Sequence, residues 1–178
     1  MMWLTFVAVV IVSFASLIFM RPVAEKIGLV DKPNFRKRHQ GLIPLIGGIA
    51  LFLGNLTFYA FQYDTMPLPG LYLLSVTILL IIGVLDDRFD ISPALRAGIQ
   101  AVLAGAMIYS GLELESLGQI IAPFSIKLGF FSLLFTVFIT IGVINAFNMV
   151  DGIDGLLAGL SSVSFAGIGA LMWINGEH

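Results

Sequence analysis

Asn145-Ala146-Phe147-Asn148-Met149-Val150-Asp151-Gly152-Ile153-Asp154-Gly155 is a polar, glycine-broken island set between two apolar runs, Phe130 to Phe147 and Leu156 to Ile174. Each run has about the length that a bilayer asks of a helix, and insertion alone requires no such island. Asn145, Asn148, Asp151 and Asp154 recur every third residue, so a helical or 3₁₀ continuation would stack them along one face. Gly152 and Gly155 oppose that continuation. A helix end that gives way to a glycine loop lets carboxylates approach a phosphate or a divalent cation closely. A capped turn is the plainer reading, but a turn needs one or two such residues, not four at fixed spacing.

The rest of the composition agrees with the flanking runs. Of the 178 residues 58% are hydrophobic and 11% charged, and mean hydropathy is +1.02, which places the chain among integral membrane proteins. It has no cysteine, so disulfides, thiolate metal sites and cysteine nucleophiles are excluded together. A net charge of -2 argues against a nucleic-acid partner and leaves the lipid bilayer as the expected surroundings.

In chain order the sequence predicts an all-α, polytopic membrane protein of about six transmembrane helices, forming a single integral membrane domain over residues 1–178. Met1 to Met20 is apolar, lacks a preceding positive charge and is followed by Arg21, the pattern of a retained first span and not of a cleaved signal. Residues 21–43 are too polar to span. Pro44 to Tyr63, Gly70 to Leu85 and Ala97 to Leu112 are the next three spans, and residues 113–128 read as a small hairpin or interfacial segment. Phe130 to Phe147 and Leu156 to Ile174 complete the set. With the N-terminus outside, residues 21–43, 86–96 and 145–155 share one side of the membrane. Those segments hold eight of the nine Lys and Arg residues, Lys127 being the exception, so that side is cytoplasmic by the positive-inside rule.

Asp86 and Asp87, with Asp90 close behind, end the third span, where one carboxylate would suffice for solubility. Adjacent carboxylates repel, and acids are disfavoured at a helix C-terminus, so a cation or shared proton that offsets the repulsion makes sense of the pair. Joined to Asp151 and Asp154 they would give up to four carboxylates, a hard-cation site suited to Mg²⁺ or Mn²⁺. Magnesium held this way completes its shell with water and substrate phosphates, which implies a phosphate ester or pyrophosphate substrate. The first loop supplies the opposite charge in Lys32, Arg36, Lys37 and Arg38, next to His39. Individually these basic residues are equally well read as a topology anchor on anionic lipid.

Asp31-Lys32-Pro33 with His39-Gln40-Gly41-Leu42-Ile43-Pro44 and Gly47-Gly48, then Leu85-Asp86-Asp87, then residues 145–156 resemble the successive signatures of the polyprenyl-phosphate N-acetylhexosamine-1-phosphate transferases, glycosyltransferase family 4. The wording is nearest the branch that makes undecaprenyl-pyrophosphoryl-N-acetylglucosamine. The resemblance runs over the whole chain and corresponds to the N-terminal half of the family's catalytic domain. It implies transfer of GlcNAc-1-phosphate from UDP-GlcNAc to undecaprenyl phosphate, with release of UMP, at the cytoplasmic face of a bacterial inner membrane, as the initiating step of cell-envelope glycan synthesis such as O-antigen. It further implies catalytic roles for Asp86, Asp87, Asp151 and Asp154, metal binding by Asp86, Asp87 and Asp151, and substrate binding by Lys32, Lys37, Arg38, His39, Asn145 and Asn148. Two rival expectations stand beside it. One is a membrane fragment or partner subunit without turnover, complemented by a separate C-terminal half or associating with its own copies. The other is a cation transporter, which would need its carboxylates near the middle of the spans and not at one interface.

Overall fold

The structure, a computed structural model, describes residues 2–31, 43–118, 125–150 and 155–176. Six helices dominate it: α1 (Met2–Ile27), α2 (Gly47–Gln62), α3 (Pro69–Phe89), α4 (Pro93–Tyr109), α5 (Ser132–Val150) and α6 (Leu156–Ile174). A two-stranded antiparallel ladder joins β1 (Val30–Asp31) to β2 (Ile43–Pro44), with Val30 opposite Pro44 and Asp31 opposite Ile43. The chain divides into two compact units, Met1–Ile99 and Gln100–His178.

Four helical stretches are long and apolar enough to cross a membrane, Trp3–Ile27, Pro69–Phe89, Gly129–Val150 and Leu156–Ile174. Their surfaces agree, because Trp3, Phe14, Phe138, Val163 and Phe165 are each at least 65% exposed. Lipid, not water, is the solvent that tolerates such faces. The sequence predicted six spans. At 16 and 17 residues, α2 and α4 are about 24 to 26 Å long at 1.5 Å per residue, below the ~30 Å hydrocarbon core. Along the helices Ser16, Thr57, Thr77, Thr136 and Thr140 donate their hydroxyls to the carbonyl four residues back, so these polar groups need no water.

Within the first unit, α1 extends past the expected Met20 to Ile27, carrying Arg21 and Glu25 as an i,i+4 ion pair of 3.5 Å. Gly28, at φ +74°, takes the left-handed conformation that ends it. The Leu29 amide then donates to the Ala24 carbonyl at 2.9 Å, the six-to-one bond of a Schellman cap. Leu29, 1% exposed, is the side chain this cap turns inward. It packs with Ala24 and Ile46 in a small core that also takes in Met20, Leu45, Ile49 and Val84. The ladder of β1 and β2 begins immediately beyond Leu29, and the Leu45 amide donates to the Leu29 carbonyl at 3.0 Å. The described chain up to Asp31 and from Ile43 onward is thus joined at one short ladder, beside the core formed by the ends of α1, α2 and α3. Farther along, α2 meets α1 closely at Gly54, where a Cβ would lie 2.0 Å from the Ser13 Oγ.

In the second unit, the described residues 113–118 and 125–128 pair antiparallel, in keeping with the small hairpin that was one of the two expectations. Ser116 bridges Lys127, and the Leu117 and Leu128 amides donate to the Ile126 and Glu115 carbonyls, both at 2.9 Å. Ser132 and Thr136 of α5 tie the hairpin down through the Leu114 carbonyl and amide, at 2.8 and 2.9 Å.

Candidate functional site

Helix α3 does not end where the apolar run ends. It continues through Phe89, so Asp86 and Asp87 lie inside its last turns, not in the following connection. Asp90 stops it by adopting φ 53°, and the Asp90 amide closes on the Asp86 carbonyl at 2.8 Å. Asp is one of the few non-glycine residues that enters this region readily. Arg88, in the last turn, places a positive charge where the helix dipole is negative. Only Ile91 and Ser92 separate Asp90 from α4, whose first residue is Pro93. Ser92 caps that start, with its Oγ accepting from the Leu95 amide at 3.3 Å, and proline at the first helical position suits a site where no amide is needed.

This early start puts Arg96 within reach of the end of α3. The Arg96 guanidinium is hydrogen-bonded to the Asp86 Oδ2, and both side chains are about four-fifths buried, with relative exposures of 19% and 18%. Arg96 Nε is buried without a partner among the described residues. The two adjacent aspartates therefore have different surroundings. Asp86 is held by Arg96, whereas Asp87 lines a cleft of about 270 Å³ between α2 and α3, alongside Gly48, Phe52, Leu80, Gly83 and Val84. At the far end of this helix pair the Tyr72 hydroxyl donates to Asn55 Oδ1, and the Tyr59 and Tyr72 rings stack 6.5 Å apart.

In the second unit α5 carries the first half of the polar island as regular helix up to Val150. Asn145 is half-buried and Asn148 is exposed. Asn145 Nδ2 donates to Gln100 Oε1 at 3.0 Å and to the Ile141 carbonyl at 2.8 Å. Asp151, Asp154, Lys32, Lys37, Arg38 and His39 lie outside the described residues. A second cavity, about 330 Å³, opens beside the hairpin among Glu113, Glu115, Ser125 and Lys127 and contains none of the motif residues.

Among the described residues no three His, Cys, Asp or Glu side chains cluster as a metal site. Two carboxylates are nonetheless a fitting donor set for Mg²⁺, which dehydrates reluctantly and is commonly bound through one or two carboxylates plus substrate phosphates. Arg96 and Gln100 carried no role in the sequence reading beyond the topology count. For Gln100 a signal existed, since a carboxamide inside an otherwise apolar helix requires a partner.

The chain is 61% identical to the undecaprenyl-phosphate alpha-N-acetylglucosaminyl 1-phosphate transferase of Haemophilus influenzae, over 93% of its own length and 47% of the relative's. The proteins of the same name from Pasteurella multocida and Escherichia coli K12 are 62% and 53% identical, over 96% and 90% of this chain and 48% and 44% of theirs. The chain spans about half the length of the relatives it matches. No solved structure matches it. The family model for glycosyl transferase family 4 fits residues 70–178, from the start of α3 through both motif-bearing helices, and the chain belongs to that family.

Proposed function

We propose that the protein transfers GlcNAc-1-phosphate from UDP-GlcNAc to undecaprenyl phosphate, giving undecaprenyl-pyrophosphoryl-GlcNAc and UMP, and so begins a cell-envelope glycan such as lipopolysaccharide O-antigen. The observation that carries this is the 61% identity, over 93% of the chain, to a protein named for that reaction. The acceptor phosphate oxygen attacks the β-phosphorus of the sugar nucleotide. The bond from that phosphorus to the oxygen bridging it to the α-phosphorus breaks, and UMP leaves. Asp86, Asp87 and Asp151 are the proposed ligands for Mg²⁺ or Mn²⁺, with Asp154 beside Asp151 in the same motif. When bound, the metal neutralises charge on the pyrophosphate and on the departing UMP.

The chain's own groups have separable tasks. Arg96 pairs with Asp86, and Asp87 lines the cleft between α2 and α3; the role proposed for Asp87 is to accept a proton or meet a phosphate-bound cation. Lys32, Lys37, Arg38 and His39, in the sequence between β1 and β2, are the proposed basic partners of the substrate phosphates. Asn148, exposed on α5, is the asparagine suited to substrate contact.

The site faces the cytoplasm of a bacterial inner membrane in this reading. Orientation follows the basic residues, with the short α2 and α4 accommodated by local bilayer thinning. Reporters fused after Lys37, Asp90 and Gly155 are expected to read cytoplasm and those after Met66 and Ser116 the opposite side. Inversion of Gly155 relative to Lys37 would defeat a common active face. The reaction is tested with native protein, UDP-GlcNAc labelled in the sugar, undecaprenyl phosphate and Mg²⁺. Formation of a pyrophosphate-linked lipid together with UMP is expected. Release of UDP would instead mean sugar transfer without its phosphate, and no labelled lipid would mean another reaction.

A further inference from the structure

Among the described residues Gln100 is one of few buried polar side chains, 6% exposed, on the same stretch of α4 as Leu103 and Ala104 at 8% and 1%. Its Oε1 accepts a hydrogen bond of 3.0 Å from Asn145 Nδ2. The other hydrogen of that amide goes to the Ile141 carbonyl, one turn back on α5, at 2.8 Å. Both Asn145 amide hydrogens are therefore used inside the protein. Asn148 is three residues on, about 60° short of a full turn of the helix, and this small offset takes it from the half-buried position of Asn145 to an exposed one.

We propose that Gln100 is a positioning residue for the transfer reaction. By holding Asn145 it fixes the axial rotation of the last turns of α5, so that Asn148 and the chain leaving Val150 toward Asp151 start from one orientation. Asn145 is then part of the scaffold and not a substrate ligand. A neutral carboxamide pair suits this task within an apolar helix pair. It has direction, since donor and acceptor must face each other, and it places no charge in a medium that penalises one. Reaction rates respond steeply to such placement, because reactants must be held in a near-attack geometry. The inference rests on the transferase reading, but its mechanical part can be measured independently of activity.

The 178 residues contain no cysteine, and Met149 is 83% exposed, so a nitroxide on Met149→Cys reports from the end of α5. In native protein in lipid nanodiscs, Gln100→Leu should increase the label's mobility. The same substitution, made without the label, should lower kcat by about 10- to 100-fold with KM for UDP-GlcNAc changed by less than about threefold. The exchanged pair, Gln100→Asn with Asn145→Gln, keeps the combined side-chain length and should recover both label mobility and kcat relative to either single change. A role confined to stability would change the folded fraction and leave kcat per folded enzyme unmoved. An unchanged spectrum in Gln100→Leu overturns the positioning role, and so does an altered spectrum with unchanged kcat. If Gln100→Leu fails to fold, recovery or its absence in the exchanged pair decides the matter. Absence of UMP release by unsubstituted protein would sink the transferase reading instead, and the label would still decide whether Gln100 orders α5.

Discussion

Two polar pairs brace motif-bearing helices, each within its own unit, and they do so with different chemistry. In the first unit Arg96 and Asp86 form an ion pair at the end of α3; in the second, Gln100 and Asn145 form a neutral amide pair in the body of α4 and α5. The charged pair stands near helix ends, beside the exposed residues 87–90. The neutral pair stands within the helices, Gln100 being 6% exposed on a stretch of α4 that also buries Leu103 and Ala104, and a lone charge there would be far more costly.

The comparison is broken most severely at Arg96. Arg96→Gln leaves the Asp86 carboxylate about four-fifths buried without its counter-charge, which should destabilise the first unit by roughly 2–4 kcal/mol. Turnover should fall as Asp86 moves. Adding Asp86→Asn should restore much of the stability and none of the turnover, which denaturant unfolding and UMP release would resolve. If the double variant is no more stable than Arg96→Gln, the pair is not an electrostatic unit. Gln100→Leu should cost less, about 1–3 kcal/mol, because the partner left behind is an uncharged amide.

Packing provides a third comparison, free of polar partners. At Gly54 the space for a Cβ is taken by Ser13, with Val9 at 3.4 Å. Gly54→Leu should push α1 from α2 at a cost of about 1–3 kcal/mol, whereas Gly54→Ala needs little more than rotation of the Ser13 hydroxyl. Equal stability of the two variants would mean that the helices do not meet as closely as described. The smallest effect belongs to Ser92→Ala, about 1 kcal/mol or less by loss of the α4 cap, read as a small shift in unfolding midpoint.

How far these features were legible in the sequence depended on the range of the interaction involved. The residues of α6 were readable at both ends, since Gly155 precedes an uncharged and mostly apolar run that stops before Asn175-Gly176. The end of α3 was not. Hydropathy falls at Asp86, but backbone hydrogen bonding continues until Asp90 adopts a left-handed conformation, and hydropathy does not report backbone geometry. The start of α4 was marked by Ser92-Pro93, a capping signal that the apolar pattern from Ala97 obscured. The ladder of β1 and β2 is two residues per strand, too short to show alternation. Pairings such as Gln100 with Asn145 join residues 45 positions apart, beyond anything that local periodicity encodes. The first loop's basic residues and the Asp151 and Asp154 motif were read from sequence and lie outside the described residues.

If the carboxylates ending α3 serve the proposed transfer of GlcNAc-1-phosphate, Asp87 is where it shows most directly. UMP release from UDP-GlcNAc, with undecaprenyl phosphate and limiting Mg²⁺, should be measured for native protein, Asp87→Asn, and Asp64→Asn in the exposed turn Tyr63–Thr65. Asp87→Asn is expected to lose about 10²- to 10³-fold in kcat, the usual scale for removing one electrostatic contact to the transition state, while Asp64→Asn keeps the native rate. Native turnover in Asp87→Asn would contradict the account.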